Sequence, residues 1–260
     1  MRKINVILRN EDIDPACMTD KVMVIINALF STSAAVHALA EGAAEVQVQG
    51  SWQAARQTAS GRGPEHCVIA ESPDTEAGSR FANHAALTMD RATLAGHSLV
   101  LTCRATCEAL YMASPAARVY VAALLNAPAM AARLLEHEGQ ALELICTGPG
   151  GRPGLVDLYA AGYLVEHLMQ HSQGAWLCSD SALMARAVYR QYRGQPQHCI
   201  DDSLAATLLA SKGLAAAAKD ICALGRHTVV AQLHDGALVS SAPLRRTPII
   251  RHTRTQHHGL

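Results

Sequence analysis

A chain of 260 residues is long enough for one large domain or two closely packed halves, and with 50% hydrophobic but only 4% aromatic residues its core must be built mainly from Ala, Leu and Val. Lys plus Arg and Asp plus Glu both number 22, so the formal charge is zero and no broad attraction to nucleic acid or to an anionic membrane is implied. The eight cysteines form no CxxC pair, which argues against a zinc ribbon or a disulfide scaffold and for reduced thiols.

Residues 3–8 (KINVIL) and 22–26 (VMVII) are short Val- and Ile-rich runs bounded by polar segments, the signature of buried strands. The second runs into Asn27-Ala28-Leu29-Phe30-Ser31-Thr32-Ser33 and then an Ala-rich segment from Ala34 to Ala40, a strand, polar loop and capped helix. Such a loop can bind an anion at the helix N-terminus. Gly42 ends that helix, residues 45–49 (EVQVQ) alternate as a strand, and Ser51 to Ala59 reads as a helix. A turn at Ser60-Gly61-Arg62-Gly63-Pro64 precedes the strand 67–70 (CVIA), Glu71-Ser72-Pro73 and a polar loop to about residue 90.

The same style recurs in the second half. A strand at 98–102 (SLVLT) leads into a hydroxyl-bearing turn from Thr102 to Thr106 and a helix over about 107–113. There follow a strand at 118–124, Asn126, a helix over about 127–138 and a strand at 142–148. The Gly-rich turn Gly148-Pro149-Gly150-Gly151 leads to Asp157 and a helix through Met169. One long helix is expected over about 174–193 and another over about 201–211, from apolar residues at three- and four-residue spacing. The strands TVVAQL and ALVSS flank His234-Asp235-Gly236, a hairpin turn.

Repeated strand-turn-helix units predict an α/β fold, with a mainly parallel or mixed sheet covered by helices on both faces and site groups on the turns beyond the strand C-terminal ends. The N-terminus carries neither a signal-peptide core nor a cleavage site, and no run of about 18 apolar residues occurs, so cytoplasmic residence is expected. The tail, residues 245–260, is basic and His-rich, with His252, His257 and His258, and is expected to be flexible or to cover a partner surface. It is also where the thirteen His residues would add most charge in mild acid.

The succession VMVIINALFSTSAAVHALAEGAAEV, ESP, VLTCRATCEAL, VAALLNAPAMA and CTGPGGRPGLVDLYAAG resembles, in order and spacing, the 2-phosphosulfolactate phosphatases over roughly residues 3–225. The resemblance implies a duplicated three-layer α/β/α fold, here one domain over 1–244 with halves of about 1–113 and 114–244. It also implies Mg²⁺-dependent hydrolysis of a small phosphomonoester. Several motif positions depart from the family pattern. Asn27 stands for an Asp, Leu29-Phe30 for Leu-Arg, Glu71-Ser72-Pro73 for Asn-Ser-Pro, Thr102 to Cys107 for an Asn-Gly-Thr turn, and Val156-Asp157 for Glu-Asp. Asn126, the Gly-rich turn, Asp157 and Gly162 are retained.

On this resemblance Asp157 and Asn27 are the candidate catalytic positions. Ser31, Thr32, Ser33, Thr102, Arg104, Thr106, Asn126 and Gly148 are candidate substrate contacts, and Asp157 and Glu71 candidate ligands for Mg²⁺ if the family activity is retained. A phosphomonoester needs cations against about two negative charges. Asn27 supplies neither charge nor proton, whereas Arg104 can restore a cation and Glu71 a carboxylate. Against this stand plainer readings: Arg104 and Glu71 as solvated loop charges, Asp157 and the hydroxyls as helix caps. Cys103, Cys107, Cys146 and His37 read as structural.

Two functions fit these residues. One is a phosphatase-like protein acting on a small anionic, phosphorylated metabolite. The other is a non-hydrolytic homologue, a binding or scaffold subunit or a repurposed enzyme with a protein partner in a specialised biosynthetic pathway. Neither involves nucleic acid or a membrane. The Ala-rich helical surface suggests a homodimer.

Overall fold

The structure, a computed structural model, describes residues 2–63, 67–71, 89–137, 139–148, 152–172, 176–211 and 217–241. Its centre is a ten-stranded sheet in the order β4-β5-β3-β10-β9-β6-β2-β7-β1-β8. The strands are β1 (Arg2–Ile7), β2 (Val22–Ile26), β3 (Glu45–Gln49), β4 (Cys67–Glu71), β5 (Ser98–Thr102), β6 (Arg118–Ala122), β7 (Leu142–Cys146), β8 (Trp176–Cys178), β9 (Ala231–His234) and β10 (Ala237–Ser240). The helices are α1 (Ser31–Ala40), α2 (Trp52–Ser60), α3 (Arg91–Leu94), α4 (Arg104–Ala113), α5 (Ala127–Glu136), α6 (Leu155–His171), α7 (Asp180–Gln191), α8 (Pro196–Asp201), α9 (Leu204–Ser211) and α10 (Ala217–Ile221). The expected α/β class with a mixed sheet between helical layers is what is found. β2, from before residue 113, lies between β6 and β7 from after it, so both parts of the chain share one continuous sheet.

Strand β2 reads as an unbroken apolar run because both of its faces are covered. In β2, Val22, Val24 and Ile26 join one core with Met130 and Leu134 of α5 and Ala161, Leu164 and Leu168 of α6. Met23 and Ile25 point the other way, into a core with Ala34, Ala35 and Ala38 of α1 and Ala109 and Ala113 of α4. Period-two alternation thus divides one strand between two cores. The Ala-rich faces of α1 and α4 let these helices approach the sheet closely.

β6, β2, β7, β1 and β8 are mutually parallel, as are β3, β5 and β4. The β9–β10 hairpin joins the two sets by antiparallel pairing to β6 and β3. Its turn has positive φ at both Asp235 (47°) and Gly236 (79°), the geometry an Asp-Gly hairpin favours. Twist of roughly 20–25° per strand pair accumulates across the hairpin. The segment after β5 thereby comes over the segment after β2, where Asn27 meets Thr106.

Two expectations are corrected. The helix over 174–193 is a strand followed by a helix: Trp176 to Cys178 pair with Arg2 to Ile4 as an edge strand, and Ser179 caps α7 by accepting from the Ala182 amide at 3.1 Å. The short apolar run Trp-Leu-Cys is in phase with the helical pattern after it, so periodicity alone merged them. Likewise the helix over 201–211 breaks at Asp202-Ser203, with Ser203 Oγ accepting from the Ala206 amide at 3.3 Å to start α9. Both α1 and α4 begin three residues before the expected start, so their hydroxyl residues lie in the first turn rather than in a loop. Most of the polar loop to residue 90, and the tail from 245, lie outside the described residues.

α6 and α7 clamp around a buried charge. Glu166, 1% exposed, receives Arg186 Nε at 2.5 Å and Arg190 Nε at 3.1 Å, with Arg193 at 3.8 Å. Burial alone raises its carboxyl, but the hydrogen bonds and charges of Arg186 and Arg190 outweigh that and hold it below its ordinary value. The helices can come this close because Gly162 faces α7: a Cβ there would stand 2.0 Å from the Ala185 carbonyl oxygen and 2.8 Å from Tyr189 Cβ. Gly162→Ala must push α7 outward and is expected to cost about 2–4 kcal/mol, beyond the usual overpacking penalty because the clash is with backbone. Urea denaturation of the variant checks this; a midpoint equal to that of the parent would contradict the packing.

Candidate functional site

Three segments converge at one end of the central strands: 27–30 after β2, 123–126 after β6, and 147–148 with 152–154 between β7 and α6. Asp157 holds two of them together. It lies in the first turn of α6, 4% exposed, and its Oδ1 accepts from the Ala28 amide at 2.8 Å while Oδ2 accepts from the Gly148 amide at 3.0 Å. Two amide donors that β2 and β7 leave unpaired at their ends are thus satisfied by one carboxylate. Gly148 is required beside it: φ is +47°, and a Cβ would lie 1.6 Å from the Arg152 carbonyl oxygen.

The polar residues after β2 are turned inward. Thr32 Oγ1 accepts from the Asn27 amide at 3.0 Å and donates to the Ala122 carbonyl at 2.7 Å; Ser33 Oγ donates to the Ala28 carbonyl at 2.5 Å. Ser31 Oγ shares a hydrogen with Thr106 Oγ1 at 2.6 Å. Asn27, 2% exposed, donates through Nδ2 to Thr106 Oγ1 at 3.4 Å and lies 3.9 Å from Cys103 Sγ. These contacts link the turn after β2 to the start of α4 and leave the hydroxyls of α1 facing protein rather than solvent. Thr102 is fully buried at the end of β5.

The other candidates stand apart. Asn126 Oδ1 accepts from the Ala123 amide at 2.9 Å and Nδ2 donates to the Val229 carbonyl at 3.1 Å, so its amide knits the turn after β6 to the segment before β9. Arg104 projects outward, its side chain 74% exposed and 4.0 Å from Glu108. Glu71 ends β4 in register with Thr102, and its side chain lies outside what is described. Cys146 is buried near Asp157; burial first, and the neighbouring carboxylate second, push its thiol well above the ordinary value.

A cavity of about 160 Å³ opens beside Asn27 and Asp157. Leu29, Phe30 and Val156 make it apolar inside, Arg152 and Gly154 stand at the start of α6, and Asp202, Ser203 and Leu204 close it from the α8–α9 turn. Sequence reasoning passed over Arg152, Asp202 and Ser203. Arg152 makes no hydrogen bond or ion pair among the described residues. Gly154 caps α6 without a side-chain acceptor, so the first amides of a 17-residue helix face the same space as an unpaired guanidinium. A helix N-terminus and an arginine are each arrangements to which an anion can bind.

Mg²⁺ takes near-octahedral oxygen coordination and one or two available carboxylates. Among the described residues no group of three or more His, Cys, Asp or Glu side chains is placed to hold a metal, and both oxygens of Asp157 accept backbone amides. These residues do not fit a Mg²⁺ site.

The fold and the site define an α/β protein with a small cavity at the ends of parallel strands. A family model for 2-phosphosulpholactate phosphatase matches residues 7–236, and the chain belongs to that family. It is 28% identical over 238 residues to a probable 2-phosphosulfolactate phosphatase of Deinococcus radiodurans, covering 90% of this chain and 96% of that one. It is 29% identical over 188 residues to one of Parasynechococcus marenigrum, 72% and 77% of the two chains. A relative so named from Thermus thermophilus is 36% identical over 126 residues, 48% of this chain and 52% of that one. Among the described residues no helix is long and apolar enough to cross a membrane.

Asn27→Asp places a second carboxylate in a buried site already holding Asp157. Without metal it should destabilise by roughly 1–3 kcal/mol, the cost of a buried polar group that has lost its donor role. With millimolar Mg²⁺ it should regain stability by binding the ion in the folded state, while the parent melts at nearly the same temperature with or without Mg²⁺. Thermal melts and calorimetric titration read both; tight Mg²⁺ binding by the parent protein would show that carboxylates beyond the described side chains complete a site.

Proposed function

We propose that this protein is a phosphatase-like enzyme of the cytoplasm that takes a small phosphorylated metabolite into the cavity beside Asn27 and Asp157, through a site whose residues differ from the family pattern. The observation that carries the reading is Arg152, without a partner among the described residues, set beside the start of α6, which has no side-chain cap among them. A phosphate seated there accepts from the guanidinium and from the first amides of the helix. Leu29, Phe30 and Val156 face the carbon body of the ligand and exclude water around it. Asp157 positions the floor by holding the 28 and 148 amides, whose two donors meet its charge, and Asn27 adds a neutral amide beside it.

A second reading has its own support: a non-hydrolytic homologue that binds such a metabolite, alone or with a biosynthetic partner protein. It is favoured by the commitment of both Asp157 oxygens to backbone amides and by the absence, among the described residues, of a metal-ligating cluster.

Phosphate release from a panel of small phosphomonoesters, with and without Mg²⁺, separates the two. The first reading expects turnover that falls by roughly 100-fold in kcat/KM in Arg152→Ala, the loss of about 3 kcal/mol from a charged contact to the reacting group. No turnover, with anion binding kept in the parent and lost in the variant, establishes the second. Equal turnover in parent and variant would overturn the placement of the phosphate. We also propose a homodimer, and a monomer mass by light scattering at micromolar concentration would remove it.

A further inference from the structure

Among the described residues the sheet ends at β8, which pairs only with β1. Trp176 and Cys178 pack on the core shared with α6, so by alternation Leu177 points to the other face, where it stands 47% exposed. The Ser179 amide donates to the Ile4 carbonyl at 2.9 Å, so the backbone groups of residues 177 and 179 face β1. Those of Trp176 and Cys178 therefore face outward along the open edge. The strand has none of the Lys or Pro residues that blunt such an edge.

After Ser179, α7 turns back to lie along β1 and β8, and its Ala185 and Tyr189 meet α6 at Gly162. Leu183 and Met184 are turned outward, 44% and 57% exposed. With Leu177 they are three of the six large apolar side chains that stand exposed among the described residues, so half of that surface belongs to this one strand-helix unit. The outer side of α7 is also polarised. Exposed Asp180 opens the helix, whereas Arg186, Arg190 and Arg193 gather towards its end on the single carboxylate of Glu166, a surplus of positive charge. Two such helices laid antiparallel bring the acid of each to the surplus of the other.

A two-fold axis through Leu177, normal to the sheet, meets both demands. It pairs β8 antiparallel with β8 of a second copy, Trp176 against Cys178 through hydrogen bonds in both directions. Leu177 then faces its own equivalent as a non-hydrogen-bonded pair, with Cα atoms about 4.5 Å apart. The strand step from Leu177 to Asp180 is about 10 Å, and the same distance back along α7, at about 1.5 Å per residue, reaches residues 186–187. The two helices therefore cross near those residues, which sets Asp180 of one copy beside Arg190 and Arg193 of the other.

We propose, resting on the homodimer proposed above, that the β8 edge and the outer side of α7 form its two-fold interface, with a second copy of this chain extending the sheet across β8. Both faces of the joined sheet are then closed at the axis, by Leu177 against Leu177 on one and by α7 against α7 on the other.

Disulfide trapping reads the axis directly. Leu177→Cys, oxidised with glutathione disulfide, should give a dimer on a non-reducing gel and a peptide that joins position 177 to its own equivalent, a link the parent cannot form. Light scattering on dilution gives the dimer Kd. Met184→Glu and Asp180→Arg should each raise it by roughly tenfold, and Arg193→Asp added to Asp180→Arg should recover most of the second loss. All four positions are exposed, so the fold of each copy is expected to survive these changes. A dimer that forms no link at position 177, or whose Kd is unmoved by Met184→Glu, would overturn this interface alone. A monomeric parent would overturn the homodimer and this interface with it.

Discussion

The site hangs on the carboxylate of Asp157 and the two backbone amides it holds. A strand that ends in a buried turn leaves amide donors with no partner, and each would cost about 1–3 kcal/mol if left so. Asp157 satisfies one donor after β2 and one after β7, and so fixes the start of α6 against two neighbouring strand ends. Gly148 permits the approach, since any side chain there would strike the Arg152 carbonyl. Arg152, which lines the cavity, lies just ahead of the helix start fixed in this way.

The other polar residues of the turns act in the same way. Thr32 and Ser33 return hydroxyls to carbonyls at the ends of β6 and β2, Asn126 spans to the segment before β9, and Ser31 meets Thr106 from the start of α4. These bonds close the region behind the cavity, so the accessible polar groups are those of its rim. A pocket built on this plan can keep its shape while the chemistry at the rim changes.

The strands that build this region were legible in the sequence for a clear reason: β2 is wholly apolar, β5 and β7 are mainly so, with Ser98 and Thr102 at the ends of one and Glu143 in the other, and buried parallel strands give that signal. The Asp235-Gly236 turn was legible because few residue pairs adopt positive φ twice. The strand β8 was not, because three apolar residues ahead of a capped helix share its phase. Among site residues, the proximity of Asn27, Ser31, Thr106, Asp157 and Gly148 followed the motif order. Arg152 and Asp202 escaped notice: each reads as an ordinary loop charge, and only the meeting of the 152–157 and 202–204 segments, about 50 residues apart in sequence, gives them a shared cavity. Arg104, singled out as the replacement cation, points away because the helix it begins starts at that residue and carries it on the exposed face.

Asp157 serves the backbone, and the proposed function gives the ligand to Arg152 and the start of α6. A crystal structure of the protein grown with inorganic phosphate and Mg²⁺ tests it most directly. The account predicts an anion within hydrogen-bonding distance of the Arg152 guanidinium and the Leu155 and Val156 amides, with Asp157 still bound to the amides of Ala28 and Gly148. An anion seated instead at Arg104, or Asp157 turned away from those amides to ligate a metal ion, would contradict it.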